Sequence, residues 1–301
     1  MVDVEGVRKW WQELAGLALP AECGGCGRAR TVLCPECRAA LGGTAPLRVR
    51  PVPEPPGLPA VHAAARYADE VRAALLAHKE RGVLALARPL GAALAGAVRV
   101  GLGEEGVGVG EGPPPPPPGT VLLVPVPSTP ASTRSRGHDP ARRIALAAAG
   151  ELRRAGLAVR VAAVLRQRRA VADQAGLSAP ERLDNLVGAL AVVPGGARVL
   201  CGGPVVLVDD LMTTGASLAE AARAVRVATA ERTGRGEGAG VVYGGLSREG
   251  RGVQPSGAGE GGAGRGPGRD PRGSVAGRGA EGVVCAAVVA ASPDSFEINR
   301  N

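Results

Sequence analysis

Aliphatic residues fall along this chain in two rhythms. Short, largely apolar runs, VLLVPVP (121–127), LAVRVAAVL (157–165), VVLVD (205–209) and VVCAAVVAA (283–291), have the pattern of strands buried on both faces. Between them, aliphatics at three- and four-residue spacing predict helices over 69–78, 83–98, about 140–154 and 216–227. Residues 60–67 alternate weakly and predict an edge strand. Apolar strands alternating with helices imply an α/β fold, a parallel sheet with helices on both faces. In such sheets ligands sit beyond the carboxyl ends of the strands.

The segments outside this pattern divide the chain. An N-terminal amphipathic helix carrying Trp10, Trp11, Leu14 and Leu17 and a cysteine-rich segment are expected over 1–44. A proline-rich linker follows over 45–60, then the main domain over 61–231. Residues 101–119 are rich in glycine and proline and predict a flexible insertion, with a polar loop after 127. A Gly/Arg/Pro-rich stretch over 232–281 predicts disorder, and 282–301 supply the final strand and tail. No stretch reaches the ~20 apolar residues of a membrane span. The N-terminus mixes acids with bases and reads poorly as a signal peptide, so a cytoplasmic location with reduced thiols is expected.

Composition changes this picture in one respect. A net charge of +8 with a pI near 9.8 suits phosphate-bearing partners, from a small diphosphate to nucleic acid, or else a solvated arginine-rich surface. Aromatic residues make up only 2%, so any contact with single-stranded DNA would be electrostatic rather than stacked.

Cys23, Cys26, Cys34 and Cys37 lie in CGGCGRARTVLCPEC, two C-x2-C pairs separated by seven residues. Two such pairs complete a closed tetrahedral site, and a closed site is structural. Zinc fits this spacing; iron is the competing metal, and two disulfides would need an oxidising compartment. Cys201 and Cys285 stand alone and read as small core residues.

In VVLVDDLMTTGAS (205–217) a buried strand runs into two adjacent carboxylates, then hydroxyls, a glycine and a helix. Neighbouring like charges are unfavourable unless cations or hydrogen-bond donors meet them. The helix start offers unpaired N–H groups to an anion, and Gly215 allows close backbone approach. Asp209 and Asp210 can accept hydrogen bonds from a ribose diol, so a ribose 5-phosphate fits. A Walker loop and a G-x-G-x-x-G dinucleotide turn are both absent.

This stretch resembles the signature of type I phosphoribosyltransferases, which bind phosphoribosyl diphosphate (PRPP). With the cysteine cluster, the chain resembles the ComF/ComFC family of bacterial, competence-associated phosphoribosyltransferase-like proteins. LAGLALPAECGGCG, Tyr67 with HKERG, VPVPSTPASTRSRGHDP and QAGLSAPERLDNLVGAL carry the likeness further along the chain. The resemblance implies a type I phosphoribosyltransferase-like parallel sheet with a small four-cysteine zinc-binding segment. It places Asp209 and Asp210 on the ribose hydroxyls as the catalytic acids, and Thr213, Thr214, Gly215 and Ser217 on the 5-phosphate. Arg136 and Gly137 would face the diphosphate, with Mg2+ bridging its oxygens. Gln174, Leu177, Arg182 and Asn185 match a motif in a segment that would close over the ligand.

Two departures stand out. Family members often read Arg-Gly-Phe-Asn-Gln where this chain has Arg136-Gly137-His138-Asp139-Pro140, and Val171 replaces an expected threonine. Lys79, one of two lysines, falls where the family places one; a phosphate contact and a solvated helix-end charge are both open. Arg166, Arg168 and Arg169 could meet diphosphate or nucleic acid, or form a solvated basic run. His62, His78 and His138 share no motif with a nucleophile. Two functions follow from the resemblance. One is pentosyl transfer from PRPP to an unknown acceptor, associated with DNA uptake. The other is a non-catalytic PRPP-sensing or single-stranded-DNA-binding module working with other competence proteins.

Overall fold

The computed structural model describes residues 22–105, 119–169, 185–237 and 283–299. The expected N-terminal helix, residues 106–118, Gln174, Leu177 and Arg182, and residues 238–282 lie outside them. Six strands form a mostly parallel sheet: β1 (Leu47–Val49), β2 (Val61–Arg66), β3 (Val121–Pro125), β4 (Val159–Val161), β7 (Val205–Met212) and β8 (Val283–Ala291). Their spatial order is β1-β2-β8-β7-β3-β4, and only the β1–β2 pair is antiparallel. Short strands β5 (Leu165–Gln167) and β6 (Leu190–Val192) pair separately as an antiparallel ribbon.

The continuous apolar runs are covered on both sides, as period-two geometry requires. In β7, Val206 and Val208 enter one core while Val205 and Leu207 enter the other; Leu123 and Leu122 of β3 divide likewise. The first core is packed by α2 (Asp69–Lys79), α3 (Ala87–Glu105) and α5 (Pro140–Arg154). The second is packed by α6 (Gly196–Leu200) and α7 (Ala216–Glu237). The cysteine segment, with α1 (Pro35–Gly42), joins the first core through Leu33, Cys37 and Leu41.

Several expectations need correction. Residues 45–60 are not simply a linker: β1 takes the sheet edge, and β2 is an inner strand between β1 and β8. Proline from Pro51 onward limits β1 to three residues. The run 157–165 is two strands, because the chain leaves the main sheet after Ala162 donates its N–H to the Leu123 carbonyl. The polar loop after 127 contains α4 (Pro130–Arg136), started by the Thr129 cap on the Ser132 N–H and stopped by Gly137 at φ 73°. Helix α3 continues through 101–105, inside the expected insertion, and α7 continues to Glu237, into the expected disordered stretch. Ala228, Ala230, Glu231 and Arg232 favour helix there, with no proline to stop it. Cys285 is buried as expected, whereas Cys201 is exposed. Among the described residues, one stretch, Leu84–Gly103, is long and apolar enough to cross a membrane by length and composition. Its Leu86, Leu90, Leu94 and Val98 are fully buried in the first core, as a core helix requires.

Candidate functional site

The sheet sets the position of the site. From β3 the chain crosses through α5 to β4 on one side; from β7 it runs through α7 toward β8 on the other. Adjacent strands that diverge in this way leave a crevice at their carboxyl ends. β3 is paired with β7 only as far as Pro125 opposite Val208, so Asp209 and Asp210 stand just past the last paired position. They remain inside β7, three residues longer than expected, because β8 continues to pair through Met212.

A cleft of about 640 Å³ opens at this point. Asp209, Asp210, Lys79 and Arg136 supply its charges; Ser128, Thr129, Ser132, Thr213 and Ser217 line it with hydroxyls. Lys79 is half-buried, and its ammonium lies 3.1 Å from the Asp210 carboxylate. The charge of Asp210 holds the Lys79 amine above its usual range, against the opposing effect of burial. Burial of its carboxyl pushes Asp209 well above the usual carboxylate range, and the neighbouring Asp210 charge pushes the same way. The Asp210 N–H donates to Asp209 Oδ1 at 2.8 Å and fixes that side chain.

The loop into α7 is shaped from outside the cleft. Gly215 has φ 74°, and a Cβ there would lie 3.1 Å from a Leu58 methyl and 3.3 Å from Pro51. Residues of the expected linker therefore pack on the turn, and Arg226 of α7 donates to the Gly57 carbonyl at 2.8 Å. Thr213 and Ser217 line the cleft, while the Thr214 hydroxyl accepts from the Ala216 N–H at 3.5 Å.

On the opposite wall Arg136 makes a two-pronged pair with Glu80, at 3.1 and 2.8 Å. Gly137 acts as a helix stop and is exposed. His138 is buried, its Nδ1 3.1 Å from the Arg136 carbonyl and its Nε2 3.2 Å from the His78 carbonyl. Asp139 caps α5 through the Arg142 N–H and also accepts from the Ser128 N–H. These bonds show what the sequence reading of this loop missed. The Thr-Pro start and glycine stop of α4 were visible signals; the burial of His138 carried none.

Asn185 begins a short segment whose Leu186 packs with Ala189 and Ala216 at the start of α7 and lines the cleft. Arg169 donates to the carbonyls of Asn185 and Val187, so it tethers this segment, while Arg166 and Arg168 are exposed. Glu220, buried on α7, accepts the Leu190 N–H at 2.9 Å and pairs with Arg223, which anchors the β5–β6 ribbon beside the cleft.

The four cysteines form a second centre. Their Sγ atoms all lie within 4.8 Å of one another, so they could hold a metal ion. Thiolates at 2.3 Å from a tetrahedral ion would be about 3.8 Å apart, which this spacing admits. The Cys34 N–H points at Cys23 Sγ at 3.3 Å, and a Cβ on Gly25 would come within 2.7 Å of Cys37 Sγ. Burial raises the Cys23 thiol, but N–H groups of Cys34, Cys26 and Gly25 outweigh it and bring it down to about 6. Burial and the neighbouring thiols push Cys37 the other way.

No protein-family model matches this chain, and no curated protein matches it.

Proposed function

We propose that the cleft binds a phosphorylated ribose, with PRPP as the ligand, and that the chain is a phosphoribosyltransferase-like protein of the ComF type. The observation that carries this reading is the acidic pair at the diverging strand ends, beside Lys79 and one turn ahead of the Gly215 loop. Asp209 and Asp210 accept from the two ribose hydroxyls. The N–H groups at the start of α7, with Thr213, Thr214 and Ser217, hold the 5-phosphate. Arg136 and Lys79 meet the diphosphate, which Mg2+ accompanies. In transfer, the C1–O bond to diphosphate breaks as the acceptor's lone pair bonds to C1. These residues contribute orientation and stabilisation of the leaving charge. Zinc is the ion proposed for the four cysteines, since their closed thiolate set suits a structural site.

Calorimetric titration with PRPP, ribose 5-phosphate and inorganic phosphate, with and without Mg2+, tests the reading. Each charge-assisted bond is worth about 1.5–3 kcal/mol, so the Asp209→Asn/Asp210→Asn double variant should bind the two ribose ligands at least ~10-fold more weakly. Phosphate affinity should be unchanged. Equal PRPP affinity in the two proteins would overturn the assignment.

A further inference from the structure

We infer that His138 is a positioning residue that ties the two cationic elements of the cleft together, and that it makes the full tie as an imidazolium. The inference rests on the PRPP reading only for its consequence in binding; the tie itself is a property of the ligand-free protein. His138 follows α4, which ends in Arg136, and its ring lies against the end of α2, which carries His78, Lys79 and Glu80. One ring nitrogen faces the Arg136 carbonyl and the other the His78 carbonyl. A carbonyl oxygen only accepts, so both contacts become hydrogen bonds only when both ring nitrogens carry a proton. A neutral ring forfeits one of them.

The neighbouring imidazole has the complementary requirement. His78 lies 5.5 Å from His138 in an edge-on arrangement; its Nδ1 sits 3.3 Å from the Val83 carbonyl, and its buried Nε2 meets no partner. One donor and one bare nitrogen describe a neutral ring. Burial lowers the His78 pKa, and the charge of His138 adds to that effect.

The charged groups around the pair come from four elements. They are Lys79 and Glu80 on and after α2, Arg136 on α4, Asp139 with Arg142 and Arg143 at the start of α5, and Asp210 on β7. The three acids are already engaged: Glu80 with Arg136, Asp210 with Lys79, and Asp139 with the N–H groups of Ser128 and Arg142. The carbonyls are therefore the partners of the His138 ring. The tie sets the separation of Arg136 from Lys79.

Two measurements test this. Nitrogen-15 NMR of the full chain has only three histidines to assign, using His→Gln variants. Both ring nitrogens of His138 should carry a proton, whereas His78 keeps a bare Nε2. A bare nitrogen on His138 would overturn the inference. In the second measurement, PRPP affinity is compared between wild type and His138→Gln, whose amide offers donors from one nitrogen only. Wild type should bind PRPP about tenfold more tightly, the worth of one charge-assisted bond. Equal affinity in the two proteins would overturn the positioning role. If neither protein binds PRPP, the reading of the cleft fails, and the NMR result alone upholds or overturns the tie.

Discussion

Asp209 carries a cost to the fold that its proposed role explains. Its carboxyl pKa is raised by burial and by Asp210, so the folded state binds a proton more tightly than the unfolded chain does. For a raised acid, stability is lost as pH climbs from the ordinary carboxylate range through the folded value. Asp209→Asn should remove that loss and keep the bond from the Asp210 N–H, since an amide oxygen also accepts. The variant should melt higher than wild type at neutral pH by at least about 2–4 °C, the change that ~1 kcal/mol makes at this size, and the gap should close in acid. Thermal melts across pH measure this, and a variant that melts lower would contradict the argument. Glu80 invites the opposite test. It engages Arg136 from a half-exposed position, so a diphosphate must compete with it. Glu80→Gln should tighten pyrophosphate binding about two- to fivefold, the worth of a partly exposed pair. Weaker binding would mean that Glu80 orients Arg136 rather than occupying it.

At the scale of elements, close backbone approach separates glycines that matter from those that do not. α3 and α5 cross at Gly91, where a Cβ would lie 2.5 Å from Ala147 Cβ and 2.8 Å from the Ala148 nitrogen. Gly91→Ala should destabilise by about 1–3 kcal/mol through overpacking. Gly150→Ala on α5 meets nothing within 4 Å and should be neutral or stabilising by up to ~1 kcal/mol, as helix propensity favours alanine. Denaturant melts of the two variants discriminate; equal effects would refute the crossing geometry. The same scale shows what the sequence disclosed. β3, β7 and β8 were legible because strands covered on both faces must be apolar throughout, and α5 because its apolar stripe repeats at helical spacing. The acidic pair and its glycine turn were legible because two adjacent carboxylates at a strand end have no packing purpose. β1 was hidden by the prolines after it, since three residues are too few to show alternation. The Pro51 and Leu58 contacts on Gly215, the Glu80–Arg136 pair and the burial of His138 join residues distant in the chain. No local pattern records such contacts.

At the scale of the whole molecule, the cysteine segment is part of the principal core. Leu33, Cys37 and Leu41 share one cluster with Leu75, Leu86 and Leu90, and a Cβ on Gly24 would strike a Leu86 methyl at 2.6 Å. Leu75 belongs to α2, which ends at Lys79 in the cleft, so the cysteine segment supports the helix that delivers that lysine. A four-cysteine knuckle of this size has little apolar area of its own, and with the proposed zinc bound it would depend on that ion to stay folded. Removing the ion should therefore open the knuckle, expose Leu33 and Leu41, and loosen α2 along with them. Metal analysis should find about one zinc per chain in wild type and a clear loss in Cys37→Ser. The melting temperature should fall by more than about 4 °C in that variant and on exposure of wild type to a strong chelator, a change of at least ~1 kcal/mol. PRPP affinity should fall in parallel, because Lys79 loses its fixed place beside Asp210. Full metal content in Cys37→Ser would undo the ligand assignment. Loss of metal without a drop in stability would show instead that the segment packs on the core without help from the ion.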